Sequence, residues 1–399
     1  MKRLPSTFSA ENFKLVWRQS RDSKASRYGG AGVDGTTAPA FRARLEDNIS
    51  RIRAELRAGI FRFGKLRLAP VLKPSGGFRI IAIPTVRDRL VQRVILNHLE
   101  SDTKFDASSP ISYGFLKDRT LPDAQRQAIA LRNEYPWVLQ ADIVKFFDNI
   151  QRDTVKLIVR KQIKRKLISD LVQSAIDCEL DEGGKQGARI ARENGIQKGR
   201  GLRQGMPLSP LLSNLLLKKF DQKLDQRGIR AVRYADDVAV FASSKNDCKD
   251  ALKFIQNELS KIGLEIPSLE NNGKTTLAAP SETIDFLGIE IRRSGCEYRP
   301  YAPTKKIDKI RRIMIEASSL ENCIAEKFNI GQLAKYLDRF VIGHSAAMAI
   351  IDDHQSFVER IEAAKKEALR NLIVEIFGSK AVSNLDDSKM AIIGIKDFP

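Results

Sequence analysis

Two adjacent carboxylates, Asp236 and Asp237, lie between two short β-type runs in residues 233–241. Like charges this close repel each other, so packing alone gives no reason to place them together. Mg²⁺ prefers carboxylate and phosphate oxygens, so an acid pair on a stiff hairpin is typical of half a metal site for phosphoryl transfer. Asp is also a common turn residue, and this stretch alone leaves a polar hairpin turn open as the alternative.

A third acid, Asp142, follows an apolar run that predicts a strand. A strand end is a usual place for a catalytic group on an α/β sheet, although Asp also serves as a helix N-cap. Two metal ions about 4 Å apart can activate a 3′-hydroxyl and stabilise a leaving pyrophosphate, and they need carboxylates from separate strands. Asp142 and Asp236 could supply that pair, with Asp237 as support.

The charge balance points to a polyanionic partner. The 399 residues include 68 Lys and Arg against 49 Asp and Glu, a formal net charge of +19. A surplus of this size favours nucleic acid, while an anionic membrane surface and plain solubility are the alternatives. No segment has the length and apolarity of a membrane span, and the N-terminus has no signal-peptide core, so we expect no membrane partner.

The spacing of the histidines and cysteines does not match a metal-binding pattern. The three histidines are scattered, and the four cysteines are far apart with no CxxC pair. Any metal is therefore expected to bind carboxylates. The cysteines are interpreted as reduced thiols, which predicts a cytoplasmic protein.

The elements that must position the acids follow from hydrophobic periodicity and turn residues. The middle of the chain is α/β, and an all-α segment begins near residue 300. Helical structure is predicted for residues 1–60, 87–99, 154–179, 211–224, 247–262 and 303–378, the last with breaks near Ser318 and Gly343. Strands are predicted at 66–72, 78–83, 137–143 and 284–292, with a turn at 73–77 and a loop or β-arm at 181–204.

Several segments, taken in order, resemble a reverse transcriptase of the bacterial, group II intron-like kind. Their order and spacing match that family across roughly residues 30–292. The segments are "LAPVLKPSGGFRIIAIPTVRDRLVQRVI" (68–95), "SYGFLKDRTLPDAQ" (112–125), "LQADIVKFFDNI" (139–150), "LRQGMPLSPLLSNLLLKKFD" (202–221), "VRYADDVAVFA" (232–242), "GKTTL" (273–277) and "IDFLGIEI" (284–291).

The resemblance implies a fold and a domain order. The expected fold class is an α/β (α+β) right-hand polymerase whose palm contains an RRM-like antiparallel sheet. An N-terminal extension would occupy residues 1–60, fingers and palm 61–300, and a helical thumb 301–399. The basic amphipathic helix predicted at 303–314 would then follow a duplex backbone through phosphate contacts.

The resemblance also assigns the metal site. Asp142 and Asp236 become the ligands of two Mg²⁺ ions, with Asp237 beside them, and Mn²⁺ is an alternative metal. The backbone carbonyl of Ile143 could complete a coordination shell. Phe147 is implied as an aromatic gate that clashes with a 2′-hydroxyl and favours dNTPs. The alternative for Phe147 is a core phenylalanine, the role expected for Phe146.

Other implied roles concern the nucleotide and the template. Lys73 and Arg79 would clamp the triphosphate, since Arg offers bidentate phosphate contacts. Gln204 and Gly205 would lie against the nascent base pair, where glycine allows close backbone approach. Lys274 would stand near the pyrophosphate as a general acid. Solvated surface charges are the alternative for the three basic residues.

The resemblance implies an RNA-directed DNA polymerase with dNTP substrates and a DNA product. No zinc-binding or HNH-type nuclease pattern follows residue 300, so the expected enzyme is freestanding and defence-associated. Its template would be a dedicated, structured non-coding RNA copied during phage infection. The alternatives are untemplated or protein-primed DNA synthesis, and a maturase or RNA-binding scaffold. The oligomeric state, homo- or hetero-oligomer, stays open.

Overall fold

The structure, a computed structural model, describes residues 4–24, 30–73, 76–269, 274–386 and 388–389. The chain divides into two compact units, each made of three segments. The first contains Met1–Thr120, Leu139–Val240 and Asn246–Thr276, and the second contains Leu121–Val138, Phe241–Lys245 and Leu277–Pro399. The predicted domain boundaries near residues 60 and 300 stay a prediction.

Helices dominate the described residues. In chain order, they are α1 (Ala10–Gln19), α2 (Ala38–Ala43), α3 (Leu45–Ala58), α4 (Val86–Ser101), α5 (Leu121–Glu134), α6 (Phe146–Asn149), α7 (Arg152–Gln162), α8 (Lys166–Ile176), α9 (Lys185–Glu193), α10 (Ser209–Gln226), α11 (Lys245–Ser260), α12 (Thr304–Ala317), α13 (Leu320–Glu326), α14 (Ile330–Ala347), α15 (His354–Phe377) and α16 (Ser379–Ser383). None of those described is long and apolar enough to cross a membrane.

The strands form three small sheets in the described residues. They are β1 (Leu66–Leu72), β2 (Phe78–Ile83), β3 (Trp137–Asp142), β4 (Leu180–Asp181), β5 (Arg230–Tyr234), β6 (Asp237–Ala242), β7 (Thr276–Ala278), β8 (Ile284–Phe286), β9 (Ile289–Ser294) and β10 (Glu297–Tyr301). The sheet orders are β2–β1–β4, β5–β6–β3–β7 and β10–β9–β8. This mixture of helices and small sheets confirms the predicted α/β class.

In the first unit, β1 and β2 form an antiparallel hairpin whose last pair is Leu72 with Phe78. The predicted hairpin is confirmed, although Pro74 and Ser75 of its turn lie outside the described residues. The part of β6 in this unit is more deeply buried than the hairpin, because Val238, Ala239 and Val240 are all buried. Successive side chains of a strand point to opposite faces, so β6 must be covered on both. Such a strand gives its neighbouring turn a stiff support.

In the second unit, β8, β9 and β10 pair antiparallel, and α12 packs on α15. The predicted apolar face of α12 is buried through Ile307, Ile310 and Met314. Phe357 and Ile361 are among the buried residues of α15. The all-α character after residue 303 is therefore confirmed for the described residues.

Two predicted elements in the first unit differ from the structure. The helix predicted over 154–179 is interrupted between α7 and α8, because buried Ile163 adopts an extended conformation with φ −92°. This bend lets the two helices pack on each other. The loop predicted over 181–204 contains α9, because Ala and Arg are strong helix formers and follow the glycines.

Two further differences lie in the second unit. The strand predicted over 284–292 is a hairpin of β8 and β9, because Leu287 and Gly288 have φ values of +50° and +80°. Two consecutive positive φ angles are typical of a tight hairpin turn. The break near Ser318 is confirmed, and the break predicted near Gly343 comes a few residues later, because α14 continues to Ala347 before α15 begins at His354. Buried Leu337 and Val341 hold α14 in place despite the glycine.

Candidate active site

A pocket of about 300 Å³ in the first unit brings most of the predicted site residues together. Its walls come from the β1–β2 hairpin, the end of β3, the β5–β6 turn and the residues around α6. The predicted residues in its lining are Lys73, Arg79, Asp142, Ile143, Phe147, Gln204, Asp236 and Lys274. Gly205 and Asp237 neighbour this lining in sequence without forming part of it.

Asp142 and Asp236 reach the pocket from separate strands. Asp142 ends β3, and Asp236 occupies the turn between β5 and β6. The amide of Ile143 donates to the backbone carbonyl of Asp236 over 3.3 Å, which joins the two strand ends. Burial and the charge of Asp236 raise the pKa of Asp142, although Lys274, with its Nζ 3.6 Å from Asp142 Oδ2, opposes the shift.

Asp237 adds a third negative charge beside this pair. Partial desolvation and the charges of Asp236 and Asp142 raise the pKa of Asp237 to about 6, although the residue keeps contact with solvent. A bound divalent cation would relieve this repulsion, since it is the largest charge in such a site. Within the residues that the structure describes, no three acidic, His or Cys side chains are arranged as a metal site. The predicted ligand set stays a prediction.

A buried ion pair between Arg233 and Asp221 supports the β5–β6 turn. The Arg233 side chain is 1% exposed and Asp221 is fully buried, and Arg233 Nε donates to Asp221 Oδ1 over 2.7 Å. Arg233 Nη1 also donates to the carbonyl of Ala235 over 2.9 Å. Ala235 has a φ of +59°, which is uncommon for a residue with a side chain. The buried guanidinium thus holds the turn in this conformation.

A second segment packs directly against the same turn. The amide of Tyr113 donates to the Arg233 carbonyl over 2.8 Å, and Asn214 Nδ2 donates to the Gly114 carbonyl over 2.8 Å. A Cβ atom on Gly114 would lie 2.6 Å from the Ala235 nitrogen. Only glycine allows the two backbones to approach this closely.

Phe147 and its neighbour occupy different environments. Both side chains line the pocket, but Phe146 is buried and Phe147 is half-buried. Their ring centroids are 5.1 Å apart. The buried ring of Phe146 therefore supports the more exposed ring of Phe147.

The remaining predicted residues lie on the β1–β2 side. The Gln204 carbonyl accepts from the Ala82 amide over 2.6 Å. Gly205 has a φ of +109°, and a Cβ there would lie 2.6 Å from the Ala82 carbonyl oxygen. Lys73 and Arg79 are exposed on the hairpin and reach the pocket lining. Two cations thus line the same pocket as the acids.

Three polar residues of the lining were missed in the sequence: Lys145, Asp148 and Asn194. Burial raises the pKa of Asp148, and the charges of Arg203, Lys145 and Lys73 oppose it. Lys145 and Asp148 lie in the quoted segment around Asp142, so their proximity to it in sequence was the available signal. Asn194 follows a helix that was predicted as a loop.

Comparison with known proteins identifies the family. A family model described as "Reverse transcriptase (RNA-dependent DNA polymerase)" matches residues 71–291, more than half of the chain. Protein YkfC from Escherichia coli K12 is 31% identical over 201 residues, covering 49% of this chain and 50% of YkfC. The group II intron-encoded protein LtrA from Lactococcus lactis is 25% identical over 247 residues, covering 61% of this chain and 37% of LtrA.

A third relative is the retron Ec83 reverse transcriptase from Escherichia coli, 28% identical over 232 residues, with 56% of this chain and 67% of the relative covered. The chain thus spans half of YkfC and a smaller share of LtrA. The predicted α/β right-hand polymerase class is confirmed by the family match and the mixed α/β elements. The chain belongs to the reverse transcriptase family.

Proposed function

We propose that this chain is an RNA-directed DNA polymerase that adds deoxynucleotides to a 3′-hydroxyl and releases pyrophosphate. The observation that carries the proposal is the pocket in which Asp142 and Asp236 converge from separate strands and which Lys73 and Arg79 also line. Phosphoryl transfer needs this combination, because the protein's main contribution is to position groups and neutralise charge.

The donor chemistry of the site fits Mg²⁺, with Mn²⁺ as the alternative. Asp142, Asp236 and the Ile143 carbonyl would hold the metal, with Asp237 beside them, and all supply the oxygen ligands that hard cations prefer. The bound ions would activate the attacking hydroxyl and stabilise the leaving group. Burial, together with the mutual repulsion of the carboxylates, raises the pKa values of Asp142 and Asp237, and a bound cation would relieve that repulsion.

The chain's basic side chains would hold the nucleotide. Arg79 would bind the triphosphate through paired N–H groups, and Lys73 would add a point charge. The Lys274 ammonium, 3.6 Å from Asp142 Oδ2, would give a proton to the departing pyrophosphate. Phe147 would lie under the incoming sugar and exclude a 2′-hydroxyl, while Gln204 and Gly205 would lie against the new base pair.

The acid pair provides the first test. Asp236→Ala combined with Asp237→Ala should abolish Mg²⁺-dependent dNTP incorporation on a primed RNA template, because the metal loses its ligands. Asp225→Ala, an exposed acid of α10, is the control and should keep wild-type activity. Full activity in the double variant would contradict the mechanism, and product formed without RNA would contradict obligatory templating.

The biological role that we propose is the copying of a structured non-coding RNA in anti-phage defence, in the cytoplasm. The group II intron-like motifs support it. Cells that carry the wild-type gene should resist phage that kills cells carrying the Asp236→Ala/Asp237→Ala variant. Equal plating of phage on both strains would reject the defence role and leave the polymerase proposal intact.

A further inference from the structure

The backbone that carries Phe147 is held by a second segment, residues 199–203, which we call the buttress. The Phe147 carbonyl accepts from the Leu202 amide over 2.8 Å, and the Ile150 carbonyl accepts from the Gly201 amide over 2.8 Å. Gly201 has a φ of +82°, and a Cβ there would lie 2.9 Å from the Phe147 carbonyl oxygen. The buttress therefore sets where the backbone of Phe147 can lie.

One carboxylate, Glu179, anchors both ends of the buttress. Glu179 Oε1 accepts from the Gly199 amide over 2.7 Å and Oε2 accepts from Arg203 Nη2 over 2.8 Å. Glu179 Oε1 also accepts from Arg152 Nη1 over 2.6 Å, and Arg152 Nε donates to the Gly201 carbonyl over 2.9 Å. The middle of the buttress is thus tied to the same carboxylate through Arg152.

Burial makes this anchor difficult to replace. The Arg152 and Arg203 side chains are 4% and 3% exposed, and Glu179 is 28% exposed. Nε and Nη1 of Arg203 are buried without a hydrogen-bond partner in the described structure, so its ion pair with Glu179 compensates much of its charge. Burial favours a raised pKa for Glu179, but hydrogen bonds from Arg203, Gly199 and Arg152 outweigh it and lower the pKa. The carboxylate is therefore charged at neutral pH.

We propose that Glu179 is a positioning residue for sugar selection, which holds the buttress against Phe147 and so fixes the ring that would meet a 2′-hydroxyl. The inference rests on the proposed role of Phe147. The acids on β3 and in the β5–β6 turn have separate supports, among them the Arg233–Asp221 pair. Loosening the buttress should thus affect the choice of sugar more than the chemical step.

Glu179→Gln tests the proposal, because it keeps the shape of the side chain and removes its charge. We measure kcat/KM for a dNTP and the matching rNTP on a primed RNA template. The dNTP/rNTP ratio should fall about tenfold, since a small misplacement of a positioning group has effects of this order or larger. Activity with the dNTP should change much less than this ratio.

Two variants separate positioning from a loss of folding. Glu179→Asp keeps the charge that Arg152 and Arg203 need but shortens the side chain, so it should fold and show an intermediate ratio. Glu193→Gln is the matched control, because Glu193 is an exposed glutamate of α9 in an ion pair with Arg189. Its ratio should equal that of the wild type. Thermal unfolding of each variant checks that the ratios come from folded protein.

A double-mutant cycle identifies Phe147 as the group through which Glu179 acts. Phe147→Ala should collapse the ratio by itself, and adding Glu179→Gln should lower it no further. Folded Glu179→Gln and Glu179→Asp variants with the wild-type ratio would overturn the proposal, as would a further loss in the Phe147→Ala background.

The proposed function fails in a different way. Wild-type protein that incorporates no dNTP would reject the polymerase proposal and this inference with it. A wild-type ratio in Phe147→Ala, with dNTP incorporation intact, would reject the gate and the role of Glu179 and leave the polymerase standing.

Discussion

At the scale of single residues, Gly114 lies so close to the β5–β6 turn that a side chain there would clash with its backbone. We expect Gly114→Ala to lower kcat for dNTP incorporation about 100-fold, because displacing reacting groups by about 1 Å has effects of this size. The added Cβ would lie 2.6 Å from the Ala235 nitrogen, and neither backbone has a flexible end that could move away. Primer extension under saturating dNTP measures the effect.

Gly343→Ala is the control for Gly114→Ala, since no atom lies within 4 Å of the Cβ that it would add. It should leave kcat unchanged. Wild-type activity in a folded Gly114→Ala variant would show that the turn tolerates displacement, against the positioning that we infer.

The sequence predicted the site residues whose side chains have an evident chemical role. Asp142, Asp236 and Lys274 are acidic or basic groups at recognisable positions, and the pocket contains all of them. Gly114 and Asp221 were missed as parts of the site because they act only through contacts with other residues of the folded chain. Asp221 lies 12 positions before Arg233 along the chain, and only the fold brings their side chains together in a buried pair.

At the scale of elements, α14 offers a stability prediction. Gly343→Ala should raise the free energy of unfolding of the second unit by up to about 1 kcal/mol, because alanine is the better helix former in an interior position. Gly343 is exposed and lies inside α14. Chemical denaturation followed by circular dichroism measures the change.

Gly295→Ala is the opposite case in the same unit. Gly295 has a φ of +64° in the turn between β9 and β10, so a side chain there is strained and the variant should be less stable. Stabilisation by Gly295→Ala, or destabilisation by Gly343→Ala, would contradict the backbone assignments of these two elements.

Periodicity predicted most elements because their buried faces repeat regularly, as in α11 and α12. Periodicity failed where the backbone conformation of one or two residues ends a helix or turns a strand. Ile163 separates α7 from α8 by adopting an extended conformation, and Leu287 with Gly288 turns one predicted strand into a hairpin. The break predicted near Gly343 comes only after Ala347, since tertiary packing of α14 outweighs the low helix propensity of glycine.

At the scale of the whole molecule, the four cysteines differ in reactivity. Cys178, Cys248 and Cys323 are buried, and Cys296 is exposed. Burial and neighbouring carboxylates raise the pKa of Cys178 to about 12 and that of Cys248 to about 11. Burial and the charge of Glu375 also raise the pKa of Cys323. A raised pKa keeps a thiol protonated at pH 8, and the protonated thiol is a poor nucleophile.

We therefore expect a thiol reagent at pH 8 to modify one cysteine of the native protein rapidly, and Cys296→Ser to abolish that fast phase. Unfolding in denaturant should release the other three thiols. Two or more fast thiols in the native protein, or a fast phase that survives Cys296→Ser, would contradict the burial of the remaining cysteines.

The first unit is assembled from three separated segments, and this has a consequence for synthesis on the ribosome. The pocket receives Lys73 from the first segment, its acids from the second and Lys274 from the third. When Asp237 has just left the ribosomal exit tunnel, the nascent chain contains the strand ends that carry Asp142 and Asp236. It still lacks Lys274, the cation beside Asp142. The order of translation therefore delays a complete pocket until the third segment emerges.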